Sequence, residues 1–133
     1  MSRFHTDAHL ASWAGMSPGS NESAGKRKSG KTRKGSKYLR SALIEAARAA
    51  TLSKETYLSA QYHRIAARRG AKRAALAVGH TILVIVYHII KNKQKYKELG
   101  ANYFDQRKKE ATVHRAVKRL MFRYPSPNAR DGI

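Results

Sequence analysis

"AALAVGHTILVIVYHII", residues 74–90, is the stretch whose reading decides the fold. It is apolar on nearly every side, and its β-branched run from Ile82 to Val86 would suit a strand. Seventeen residues are too many for an ordinary strand, however, and the segments on either side carry a helical period. The spacing therefore predicts a central buried helix, and with it an all-α helical bundle. A membrane span is not expected, because the run falls short of the ~20 residues a bilayer requires. His80, Thr81 and His88 also interrupt it.

Upstream, "KYLRSALIEAARAA" (37–50) places Leu39, Ala42, Leu43, Ala46 and Ala50 on one stripe. "KETYLSAQYHRIAARRG" (54–70) repeats the pattern with Leu58, Tyr62, Ile65 and Ala66, with Ser53 as the expected N-cap and Gly70 as the C-terminal stop. Downstream, residues 105–123 predict a final amphipathic helix. It would open on Asp105, bury Val113, Val117, Leu120 and Met121, and turn a cationic face outward. A short helix is expected within residues 4–16, from the spacing of Phe4, Leu10, Trp13 and Ala14, and Gly15 and Pro18 would end it. The expected organisation is thus an N-terminal helix (1–16), a flexible basic loop (17–37), a helical domain (38–123) and a loose tail (124–133).

Charge narrows the partner. The 133 residues carry 28 Lys and Arg against 8 Asp and Glu, a formal net charge of +20. Such self-repulsion is relieved by a polyanion, so nucleic acid is the expected partner. Lys26, Arg27, Lys28, Lys31, Arg33, Lys34, Lys37 and Arg40 meet no acid after Glu22, and Gly25, Gly30 and Gly35 remove bulk between them. This comb of cations suits a phosphate backbone, and a solvated linker is the bland alternative. With no cysteine there is no disulfide, zinc ribbon or thiol nucleophile, which fits a cytoplasmic protein. The first residues show no signal peptide.

"GKRKSGKT" (25–32) matches the pattern of a nucleotide-binding phosphate loop. That loop must leave a buried strand and open a helix at its Lys-Ser/Thr. "MSPGSNESA" upstream is no core strand, Gly35 interrupts the first turn downstream, and "ILVIVYHIIKN" ends without an acid for magnesium. The match is one of composition, and an ATPase is not expected.

"HLASWAGMSPGSNESAGKRKSGKTRKGSKYLRSALIEAA" (9–47) resembles the C-terminal half of transposases of the IS-one-ten family of insertion sequences, also called bridge recombinases. The "LASWAG-x-x-P" lead, the "S-A-G-K" step, the "K-G" pair and the "L-R-x-x-L" helix start fall in the family's order. "YLSAQYHRIAARRG", "VGHTILVIVYHII" and "YKELGANYF" continue it, so the likeness covers most of the chain. The resemblance implies DNA transposition guided by a structured RNA, in an oligomer whose acidic RuvC-like domain binds Mg2+. It also implies a serine that becomes attached to a DNA end. That serine is Ser23, in the "S-A-G-K" step, and Lys26, Arg27 and Lys28 lie close enough in sequence to stabilise a phosphoryl transition state.

The eight acids Asp7, Glu22, Glu45, Glu55, Glu98, Asp105, Glu110 and Asp131 are scattered and make no metal cluster in sequence. Against the family the chain therefore reads as a truncated copy, a fragment or one part of a split enzyme, inactive alone. It would be completed by an acidic domain or by full-length transposase copies, in the cytoplasm of a prokaryote and associated with the nucleoid. The alternative is a non-catalytic remnant that binds DNA or RNA through its basic loop. No metal site is expected: His5 and His9 have a zinc-compatible spacing but lack a third ligand. His80 and His88 read as hydrogen-bonded histidines of the core or its edge. Tyr57, Tyr62, Tyr87, Tyr96 and Tyr103 recur near basic clusters, where the last two could stack on bases and the first three suit packing stripes.

Overall fold

The computed structural model describes residues 1–123, so the tail expected at 124–133 lies outside the described residues. Five helices and one two-stranded antiparallel sheet are present among them. The elements are α1 (Asp7–Trp13), β1 (Asn21–Ser23), β2 (Lys26–Ser29), α2 (Lys37–Ala50), α3 (Tyr57–Arg69), α4 (Ala71–Asn92) and α5 (Tyr103–Arg123). The fold is helical, as the sequence predicts. Residues 17–37, expected to be loop throughout, differ in carrying a short β-hairpin. The chain divides into two units, one ending at Ala101 and one beginning at Asn102.

Local chemistry sets the helix starts. Thr6, Ser36 and Thr56 accept from the backbone N–H of His9, Leu39 and Ser59 and so cap α1, α2 and α3. The cap of α3 is thus Thr56 and not Ser53, because Lys54 and a left-handed Glu55 (φ 58°) spend another turn first. Ser53 still takes part, its carbonyl accepting from the Thr56 hydroxyl. Gly70 ends α3 as expected, and its φ of 86° lets α4 begin at the next residue without a connecting loop.

The segment read first is indeed a helix, but it runs from residue 71 to residue 92, longer than expected at both ends. By length and composition it could cross a membrane, which corrects the argument from shortness. Its packing gives it another role: α1, α2 and α3 all lie against it. Small residues make the closest approach possible. Ala74, Ala75, Val78 and Gly79 are buried, and a Cβ on Gly79 would stand 3.2 Å from the Leu43 carbonyl oxygen and 2.8 Å from Met16 Cε. Leu10, Ala11, Ala14, Met16, Leu43, Leu83 and Tyr87 form the core around this crossing. The buried stripe of α2 is Leu43 and Ala47, with Leu39 half-buried, whereas Ala42 and Ala46 of the expected stripe face out. In α3, Leu58, Tyr62, Ile65 and Ala66 are half-buried, and Ser59 is the buried residue.

Tyr87 ties the far end of α4 to the N-terminus. Its hydroxyl donates to the Phe4 carbonyl at 3.0 Å and accepts from Lys91 Nζ, which also reaches the His5 carbonyl. His88 is exposed and lies 3.4 Å from Asp7, while His80 is half-buried. After Lys93 (φ 52°) the chain runs without regular structure to Gly100.

In the second unit α5 forms as predicted, but Val113, Val117, Leu120 and Met121 are 61%, 45%, 60% and 71% exposed and the helix has no buried residue. The expectation that they are buried is therefore corrected. An amphipathic period makes a stripe, and only an opposing apolar surface can bury it.

Candidate nucleic-acid interface

Ser23 closes β1 and Lys26 opens β2, directly opposite each other in the ladder. Between them Ala24 (φ 52°) and Gly25 (φ 73°) are both left-handed, the pattern of a two-residue hairpin turn of the mirror-image kind. Gly25 adopts this at no steric cost, and Ala24 at a cost of about 1 kcal/mol. The next pair sets Glu22 against Arg27. Lys28 has no counterpart in the ladder, since the register shifts between Asn21 and Glu22 and leaves a bulge in β2. Every residue from 20 to 31 is exposed, so the hairpin presents Ser23 and its cations at a tip.

The base of the hairpin is held firmly. Gly19 N donates to the Lys31 carbonyl, and residues 14–15 cross residues 33–35 backbone to backbone. A Cβ on Gly35 would lie 2.3 Å from the Ala14 carbonyl carbon, and one on Gly15 would lie 2.8 Å from the Arg33 carbonyl oxygen. Arg40 secures the crossing, Nη1 donating to the Gly15 carbonyl at 3.1 Å and to Thr32 Oγ1 at 2.9 Å. Of the eight cations read from the sequence, Arg40 is the half-buried one, committed to placing the loop. Lys26, Arg27, Lys28, Lys31, Arg33, Lys34 and Lys37 are exposed. None of these seven makes an ion pair among the described residues. Seven unneutralised cations along the hairpin, its base and the start of α2 attract an extended anion.

Between the hairpin base and helices α3 and α4 lies an open cleft of about 890 Å³. Arg27 and Lys31 line it from the hairpin side, Arg69 and Arg73 from the junction of α3 and α4. Arg69 and Arg73 were not singled out in the sequence, where the run "RRGAKR" read as a helix end. Their common direction depends on the turn at Gly70, which no periodicity reveals. The cleft also contains Gln61, whose Nε2 donates to Thr81 Oγ1 at 2.9 Å while Thr81 donates to the Ala77 carbonyl. Gln61 Oε1 is buried without a partner.

No base adjoins Ser23: among the described residues its hydroxyl has no hydrogen bond to a histidine or carboxylate. No group of three His, Cys, Asp or Glu side chains that could hold a metal ion occurs among the described residues. The "GKRKSGKT" stretch (25–32) contains the exposed strand β2 and opens no helix, so it lacks the strand-to-helix setting of a phosphate loop.

No curated protein and no solved structure matches the chain. Residues 1–64, which contain α1, the hairpin and α2 and reach into α3, match the family model described as Transposase IS116/IS110/IS902 family, so this part of the chain is similar to the transposases of that family.

Proposed function

We propose that the chain is the serine-bearing part of an RNA-guided DNA recombinase, which presents Ser23 on the hairpin to an active site completed by an acidic RuvC-like domain. The observation that carries this reading is the position of Ser23: the last residue of β1, at the tip of an exposed hairpin, paired with Lys26, inside the segment that matches the transposase family. A nucleophile on a projecting turn suits a site assembled from two parts. Its base and metal come from the other part, which is where the magnesium-binding acids of such a site would lie.

In the proposed step the Ser23 Oγ–P bond forms as the bond from phosphorus to one sugar oxygen breaks. The hydroxyl proton passes to an acceptor in the acidic domain, and the departing sugar oxygen takes up a proton and leaves as a hydroxyl. Lys26, directly across the ladder, and the neighbouring Arg27 and Lys28 offset charge developing on the phosphoryl oxygens. The base of the hairpin, fixed by the Gly15–Gly35 crossing and Arg40, limits the positions from which Ser23 can approach. Assembly with further transposase copies and with a structured guide RNA belongs to the same reading.

The test is to supply the chain with a full-length transposase of the family whose own serine has been replaced by alanine, and to trap covalent protein–DNA adducts. The expected result is an adduct with the wild-type chain and none with Ser23→Ala, while Ser23→Ala keeps wild-type affinity for DNA. Recombination that proceeds equally with Ser23→Ala would overturn the nucleophile assignment. That outcome would leave standing the second reading, a non-catalytic chain that binds nucleic acid through its basic loop.

A further inference from the structure

The cleft beside the hairpin does not end at its cationic rim. A second hollow of about 430 Å³ lies further along α4. The two share His80 and Thr81. Along α4 the lining residues are Arg73, Leu76, Ala77, His80, Thr81, Val84 and Ile85, recurring every three to four positions and hence on one helix face. That face extends ~18 Å from Arg73 to Ile85 at the helical rise per residue. The chemistry changes along it. At one end stand Arg69 and Arg73, with Arg27 and Lys31 opposite; in the middle are the amide of Gln61 and the hydroxyl of Thr81; at the other end the lining is mainly apolar and aromatic, with Val84, Ile85, Leu99, Tyr57 and Tyr96 beside the single cation Lys97.

The aromatic end is fixed in place. Glu98 accepts from the Tyr57 backbone N–H at 2.6 Å, the Tyr96 hydroxyl at 3.0 Å and the Gly100 N–H at 3.1 Å, which staples the segment after α4 to the start of α3. The Tyr96 side chain thus forms a wall of the second hollow while remaining 42% exposed. With four cations against the single Lys97, the end at Arg69 and Arg73 is the more favourable place for phosphates. Cations along one part of a groove and aromatic faces along the next are what an unpaired strand requires, the first for its backbone and the second for its bases. Duplex cannot use the aromatic end, because its bases are already stacked on one another.

We propose that this face of α4 seats a short unpaired stretch of nucleic acid, with its phosphates at Arg69 and Arg73 and a base against Tyr96. The proposal rests on the nucleic-acid reading above and adds to it a second locus, separate from the hairpin tip, that selects single strands. Gln61 and Thr81 lie between the two ends, where the orphaned Gln61 Oε1 can accept from a base amino group after a small side-chain rotation. DNA and RNA share this chemistry, so both are tested as probes.

The experiment measures binding of labelled oligothymidylate, oligouridylate and a duplex by the full chain. Three variants are compared: Arg69→Gln/Arg73→Gln, Tyr96→Leu and Tyr96→Phe. For single strands the arginine pair is expected to lower affinity at least tenfold and to flatten the log–log salt dependence by about 1.4. Tyr96→Leu should lower single-strand affinity about tenfold and leave duplex binding unchanged, and Tyr96→Phe, which keeps the ring, should bind as the wild type does. A 4-thiothymidine-substituted oligothymidylate should crosslink to the peptides carrying Tyr57 or Tyr96. Loss of either oligonucleotide through these residues supports the seat.

Wild-type single-strand affinity in both the arginine and the leucine variants, or crosslinks confined to residues 26–34, would overturn it. The control Lys26→Ala/Lys28→Ala/Lys34→Ala alters the hairpin outside the cleft. If that variant alone loses binding, the seat fails while the hairpin reading survives, and if the wild type binds no oligonucleotide and no duplex, both fail.

Discussion

Glycine serves opposite purposes at the buried crossing of α2 over α4 and at the exposed tip of the hairpin. At the crossing, Gly79 is there for space: a Cβ would meet Met16 and the Leu43 backbone. At the tip, Gly25 is there for conformation: nothing lies within 4 Å of where its Cβ would be, but its φ is 73°. The base of the hairpin belongs with the buried crossing, although it lies at the surface. Gly15 and Gly35 meet there as closely as any pair in the core. A region only partly buried can therefore be tightly specified, and a basic loop with no apolar periodicity can have a fixed origin and a projecting tip.

The sharpest way to break this comparison is Gly35→Ala. Its new Cβ would press on backbone atoms that no side-chain rotation can move, and we expect a loss of about 3 kcal/mol in denaturant unfolding. Near-wild-type stability would show that the crossing yields and that the base is no more specified than the tip. Next in size, Arg40→Ala removes two hydrogen bonds and leaves the buried Gly15 carbonyl without its donor, an expected cost of about 1–2 kcal/mol. Arg33→Ala, an exposed neighbour, should cost close to nothing by the same measurement. Equal effects would remove the distinction between Arg40 and the displayed cations. Gly25→Ala is expected to cost less than about 1 kcal/mol, since only the left-handed backbone objects and nothing is struck.

The smallest effect concerns the staple at Glu98. Accepting the Tyr57 N–H, above all, holds the Glu98 carboxyl below the usual carboxylate range, with further bonds to Gly100 and Tyr96 adding to it and burial opposing it. Burial first, and then the bond to Glu98, push the Tyr96 hydroxyl from 10.0 up to about 12. A lowered acid stabilises the folded form above its ordinary pKa and loses that contribution as pH falls through the lowered value. A raised tyrosine contributes below its ordinary pKa and loses the contribution as pH rises through about 12. The staple is therefore intact at neutral pH and released at both extremes. Ultraviolet titration should show one tyrosine ionising near pH 12, absent in Tyr96→Phe and moved toward 10.0 in Glu98→Gln. A Tyr96 that ionises with the other tyrosines would show that the segment after α4 is not held.

Much of this was legible in the sequence. The helical period located α2 to its ends, Gly70 marked the break between α3 and α4, and the excess of cations with no acid after Glu22 located the basic projection. Ser23 is a candidate by resemblance alone, since a lone serine in a basic loop carries no chemical signal of its own. Less legible was the hairpin, because its ladder has only exposed polar residues and its turn signal, Ala24-Gly25, is a weak one. Arg69 and Arg73 were passed over for a different reason: they line one cleft with the hairpin only after α3 and α4 have folded back at Gly70, and Tyr96, read as able to stack on a base, joins the same helix face only once Glu98 has pinned the segment after α4.

By itself, then, the sequence determined that the chain is helical, where most helices lie and that it carries a large excess of positive charge. These depend on local propensity, period and summed charge, which a linear chain already contains. The tertiary structure alone decided which faces are covered, why Val113 and Leu120 stay exposed while Leu43 and Tyr87 do not, and which cations are displayed and which, like Arg40, are spent inside. Burial and convergence are properties of pairs of surfaces, and a sequence supplies only one surface at a time.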